Sequence, residues 1–125
     1  MPMPRGKLKI FGGNMFSNKT GSLIHEVDTL RKFAGKKIII LKPKTDTRSG
    51  ASLIKNFHGK IMQAHEISSQ KPFSALKVIA DKEKKIGRKL DTIAFDEVQF
   101  FGTDSKFFNL VDELLRRGYN VIAAG

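Results

Sequence analysis

Two short apolar runs, Ile38-Ile39-Ile40-Leu41 and Thr92-Ile93-Ala94-Phe95, constrain the fold of this chain more than any other feature. A strand with one wet face alternates polar and apolar residues. These runs offer water almost nothing on either side, so they suit strands covered on both faces, as in a parallel sheet. Residues 7–11 alternate instead and then meet Gly12-Gly13, which predicts a short strand ending in a glycine turn. Asn120–Ala124 begins a further strand.

Between these runs the apolar period changes to that of helices. From 19 to 34, Leu23, Val27, Leu30 and Ala34 share one face, and Gly35 sits at the helix stop. Pro72 opens a second helix with Phe73, Leu76, Ile79 and Ala80 on one face, followed by a basic connection over 84–89 around Gly87. A third helix over 105–117 uses Phe107, Phe108, Val111, Leu114 and Leu115, and closes with Arg116-Arg117 and Gly118. The polar stretch 43–56 reads as a loop, irregular through 59, and 60–67 as one weak strand. Strand, helix, strand, loop, strand, helix, strand, helix, strand predicts a three-layer α/β fold with a mostly parallel sheet and right-handed crossovers.

At 125 residues the chain is expected to form one domain. No stretch of about 20 apolar residues is present to span a membrane. Residues 1–7 lack the apolar centre of a secretory leader, so a cytoplasmic location is expected. There is no cysteine, hence no disulfide and no thiolate metal site within this sequence. The 23 Lys and Arg against 12 Asp and Glu leave a formal charge of +11. Such a field attracts nucleotides, nucleic acid or an acidic partner. The basic residues are dispersed and not interleaved with aromatics as on a single-strand binding face, so a solvated surface is the competing reading.

Gly13-Asn14-Met15-Phe16-Ser17-Asn18-Lys19-Thr20 approaches the phosphate-loop pattern G-x-x-x-x-G-K-[ST], between a predicted strand and a predicted helix. Backbone N–H groups of such a loop surround phosphate oxygens. Lys19 would neutralise the β- and γ-phosphates of ATP, and the Thr20 hydroxyl would hold Mg²⁺. Asn18 stands where glycine is expected. Asn tolerates positive φ better than most residues, but its side chain would crowd the phosphate. A turn that merely caps a helix is the other reading. Asp96-Glu97 ends the second apolar run, at a strand expected to lie beside the phosphate strand. Asp96 would be the second metal contact, and Glu97, directed elsewhere by strand alternation, would accept a proton from a hydroxyl. A loop start is the competing reading here.

These residues resemble the cytosolic, tetramer-forming type of thymidine kinase. Its motifs look like Gly13 to Ser17 with Lys19-Thr20, then Lys42-Pro43, Asp46-Thr47-Arg48, His58-Gly59, Asp96-Glu97-Val98-Gln99-Phe100-Phe101 and Gly118-Tyr119-Asn120-Val121-Ile122-Ala123-Ala124-Gly125, in that order. The resemblance implies a P-loop NTPase-like fold and ATP-dependent phosphorylation of the thymidine 5′-hydroxyl. Thr20 and Asp96 would organise Mg²⁺, Glu97 would be the general base, and Asp46 and Arg48 would support the metal and phosphate region. Gln99 joins the nucleotide-binding set. Phe100 or Phe101 would line the nucleoside side, core packing being the alternative for each. Family members continue past Gly125 into a zinc-binding region and a base-enclosing loop. Residues 1–125 are therefore expected to be a phosphate-loop domain incomplete at its C-terminus, acting as a fragment or as half of a split enzyme. It would work as a homo-oligomer or with a complementing C-terminal polypeptide. The alternative is a catalytically impaired nucleotide-binding or interaction module, including a basic protein associated with nucleic acid.

Overall fold

The computed structural model describes residues 5–12, 19–44, 53–55, 59–102 and 105–125. In chain order the elements are β1 (Leu8–Phe11), α1 (Lys19–Ala34), β2 (Ile38–Lys44), β3 (Leu53–Lys55), β4 (Ile61–Gln63) and β5 (His65–Ser68). A 3-10 turn, Pro72–Ser74, then leads into α2 (Ala75–Ile86), followed by β6 (Thr92–Phe95). A second 3-10 turn, Val98–Phe101, precedes α3 (Ser105–Arg116) and β7 (Asn120–Ala124). Five strands form one sheet in the order β1-β7-β6-β2-β5, with every neighbouring pair parallel. The expected α/β fold with its parallel sheet is therefore present.

The strand pleat sends alternate residues to two cores. Ile39, Leu41, Ile93, Phe95 and Val121 meet α2 and α3 through Ala75, Ile79, Phe107, Leu110 and Leu114. Ile38, Ile40, Ala94, Ile122 and Ala124 meet α1 through Leu23, Ile24 and Val27. Each large side chain buried this way contributes about 1.5–3 kcal/mol of transfer free energy. The α1 crossover carries the chain from β1 to β2 on one face. The α2 and α3 crossovers step back toward β1 on the other, as a single crossover hand requires.

Several sequence expectations change. The stretch 43–56 is not all loop, since β2 runs on to Lys44 and β3 occupies Leu53–Lys55. Pro43 is fully buried within β2 at no cost in ladder bonds. Asp96 N–H donates to the Leu41 carbonyl (2.9 Å), so Leu41 and, two residues on, Pro43 face the β6 side, where β6 has already ended. The single strand expected over 60–67 divides. β4 pairs antiparallel with β3, placing Ile54 opposite Met62 over α1, and β5 joins the main sheet.

The helix faces rotate slightly from expectation. Ile24 and Leu110 are buried, whereas Ala34, Phe73, Ala80 and Phe108 are exposed. α2 extends to Ile86, so Lys84 and Lys85 belong to the helix, and Gly87 (φ 76°) supplies the left-handed cap. A close approach that the sequence does not advertise lies at Gly6. A Cβ there would stand 1.7 Å from the Tyr119 carbonyl oxygen. Its N–H donates to the Leu115 carbonyl at 2.9 Å, joining the residues before β1 to the end of α3.

Candidate active site

The C-terminal ends of a parallel sheet face the N-termini of the following helices, and ligands gather there. In this chain the arrangement brings the start of α1 to the end of β6. Thr20 Oγ1 lies 3.1 Å from both Asp96 Oδ1 and Asp96 Oδ2, so the hydroxyl donates to the carboxylate across 76 residues of sequence. The strands involved are not neighbours as expected. β7 lies between β1 and β6, and the contact exists because α1 crosses over β7 and β6 on its way to β2. Ala94 and Ala124 are among the residues under α1, and their small side chains leave room for the helix.

Asp96 is 4% exposed. Burial pushes its carboxyl above the usual carboxylate range, against the lowering effects of the Thr20 hydroxyl, the Glu97 backbone N–H and the Lys42 ammonium; the Glu97 charge adds to the rise. Lys42 sits at a strand position whose neighbours Ile38 and Ile40 also face α1, and its Nζ donates to the Leu53 carbonyl at 2.9 Å. Strand alternation, which carries Ile38 and Ile40 to the α1 side, is the sequence signal that brings the Lys42 charge near Asp96.

Glu97 is directed by a different cause from the one expected. β6 ends at Phe95, and Glu97 adopts φ 53°, ψ 43°, the only positive φ outside glycine among the described residues. A left-handed turn, not strand alternation, aims its half-buried side chain. This conformation costs a non-glycine residue roughly 1–2 kcal/mol, and strain of this kind collects at functional sites. The Val98–Phe101 turn follows directly. Its Phe101 is 3% exposed, stacks on Phe107 (4.6 Å between centroids, 13° between planes) and meets Phe95 edge-on. Phe101 is thus a core residue, which leaves Phe100, 51% exposed, as the ring available to a ligand. Gln99 is exposed and near the end of β7: a Cβ on Gly125 would stand 2.6 Å from Gln99 Oε1 and 2.9 Å from the Val98 nitrogen.

Lys19 opens α1, half-buried, immediately before Thr20. Gly13, Asn14, Met15, Phe16, Ser17, Asn18, Asp46, Arg48 and His58 lie outside the described residues. Among the described residues no three His, Cys, Asp or Glu side chains cluster as an all-protein metal cage. A hydroxyl beside one buried carboxylate is the hard oxygen donor set on which Mg²⁺, completed by water and phosphate, is ordinarily held. Tested against the known protein families, residues 6–125 match the family model described as thymidine kinase.

Proposed function

Because the chain belongs to the thymidine kinase family, we infer that it takes part in transferring the γ-phosphoryl group of ATP to the 5′-hydroxyl of thymidine. The observation that carries this reading is the Thr20–Asp96 contact at 3.1 Å, a hydroxyl at a helix N-terminus against a desolvated carboxylate. Thr20 and Asp96 fit Mg²⁺, which supplies charge neutralisation of the triphosphate when bound. In this reading Lys19 neutralises the phosphates, residues Gly13 to Asn18 bind them through backbone N–H groups, and Asp46, Arg48 and Gln99 assist. Glu97 accepts the 5′-hydroxyl proton as the oxygen attacks phosphorus. Its left-handed backbone sets it directly after Asp96, close enough for its charge to act on the Asp96 carboxyl. Phe100 offers the nucleoside an exposed ring face.

The test is transfer of labelled γ-phosphate from MgATP to thymidine. Glu97→Gln is expected to lower kcat by about 10²–10⁴-fold, the usual worth of a general base, while MgATP affinity stays within a few fold. Full turnover by the Gln variant would remove Glu97 from the role. Failure of MgATP to bind, or binding that Asp96→Asn leaves unchanged, would remove the nucleotide site itself.

A further inference from the structure

At the opposite end of the sheet, where strands begin, three clefts of about 610, 270 and 120 Å³ adjoin one another. The first and second share Lys36 and Leu90; the second and third share Arg31, Ile38 and Lys82. Together they form a trough from Asn120 at the start of β7, past Asp91 before β6 and Lys37 before β2, to His65 at the start of β5. Its cationic lining is Arg31, Lys36, Lys37, Lys82, Arg88 and Lys89.

The acids nearby are engaged in holding the backbone. Asp91 Oδ2 accepts the Lys37 N–H at 2.7 Å, with Arg88 at the limit of pairing at 4.0 Å. Glu83 Oε2 accepts the Leu90 N–H and the Tyr119 hydroxyl. Among the described residues no carboxylate pairs with Lys36, Lys37 or Lys82. The positive field acts on a neighbour: the His65 imidazole is held below its usual pKa, first by partial burial and then by Lys82 and Lys85.

We propose that this trough binds the phosphate backbone of a single-stranded nucleic acid, at a site separate from the nucleotide site at the other end of the sheet. Three strand spacings give it a span of about 14 Å. With one charge per roughly 3.4 Å along a stacked strand, about four phosphates fit. The trough is recessed, which disfavours a flat lipid surface. Among the described residues no Phe, Tyr or Trp lines the three clefts and the nearby Tyr119 is buried in the core, so recognition is through phosphate and is indifferent to sequence. The proposal does not depend on the kinase reading.

The experiment uses the full chain and a short labelled deoxycytidylate oligomer, with anisotropy followed across a salt series. The triple variant Lys36→Ala, Lys37→Ala, Lys82→Ala is expected to lose affinity about 10- to 100-fold and to reduce the salt slope by about 2, given a slope near 0.7 per phosphate contact. The charge-matched triple Lys9→Ala, Lys71→Ala, Lys77→Ala is expected to bind within a few fold of the unaltered chain, and MgATP is expected not to compete. Single Lys→Gln variants, each stepping the slope down, serve if the triple variant melts early. Equal losses in both triples would reduce the effect to net charge and overturn the site. So would competition by MgATP, or binding to anionic vesicles or an acidic peptide in place of the oligomer.

Discussion

The two ends of the sheet treat charge in opposite ways. At the strand C-termini one carboxylate, Asp96, is taken out of water and held against a hydroxyl, with a strained glutamate following it. At the strand N-termini the cations stay largely in solvent, and the acids among them accept backbone N–H groups. A desolvated charge is sensitive to the loss of one neighbour, whereas exposed charges act through their sum and are screened by salt. The first end therefore suits a small ligand that must be placed to within a fraction of an ångström. The second suits a polyanion that need only be attracted.

That contrast can be broken by substitution. The largest effect is expected at Phe101. Phe101→Ala should lower stability by about 3–5 kcal/mol by emptying a stacked core position. Phe100→Ala should stay within about 0.5 kcal/mol and act on thymidine KM instead. Denaturant melts and a KM measurement separate the two, and equal stability losses would contradict the core assignment. Next, Gly6→Ala should cost at least about 2 kcal/mol, because the added methyl meets backbone and not a flexible side chain. It lies at the N-terminal end, so MgATP affinity of the folded fraction should not change.

A smaller effect, of opposite sign, is expected from Asp96→Asn. The folded-state pKa of Asp96 is raised, so its contribution to stability is fully present below the ordinary carboxylate pKa and is lost as pH rises through the folded value. The Asn variant should melt higher than the unaltered metal-free chain at neutral pH, flatten the pH profile above pH 4 or so, and lose Mg²⁺-dependent ATP binding. A lower melting temperature at neutral pH would mean that the Thr20 and Lys42 interactions outweigh desolvation. The smallest change is expected from Glu97→Gly, which should gain about 0.5 kcal/mol by relieving the left-handed strain while abolishing transfer.

Much of the architecture was legible from local pattern. Both apolar runs became strands covered on two faces, and the three helices start or stop within a few residues of their capping and glycine signals. Short-range physics explains that agreement, since a strand buried on both sides has no polar residues to spare. The stretch 43–67 was legible only in part. Its three short strands carry three or four residues each and take their partners from different elements, so neither length nor period separates them. The helix period places Phe73 and Phe108 on the apolar faces, yet both are exposed, and Phe73 lies in the 3-10 turn before α2.

The site divides in the same way. Residue type and spacing marked Lys19, Thr20, Asp96 and Glu97, because a phosphate loop and a strand-end carboxylate leave signatures within a few residues. Sequence could not show that Thr20 would reach Asp96 over an intervening strand, that Phe101 would turn inward while Phe100 stayed out, or that Glu97 would sit in a left-handed turn. Nor could it gather basic residues from four separate segments along one trough. The amino-acid sequence determined which strands are buried and where helices end, and it marked candidate residues for phosphate transfer, because those follow from neighbours along the chain. Only the tertiary structure decided strand order, the desolvation of Asp96 and the grouping of charge at each end of the sheet, because these depend on which distant segments the crossovers bring together.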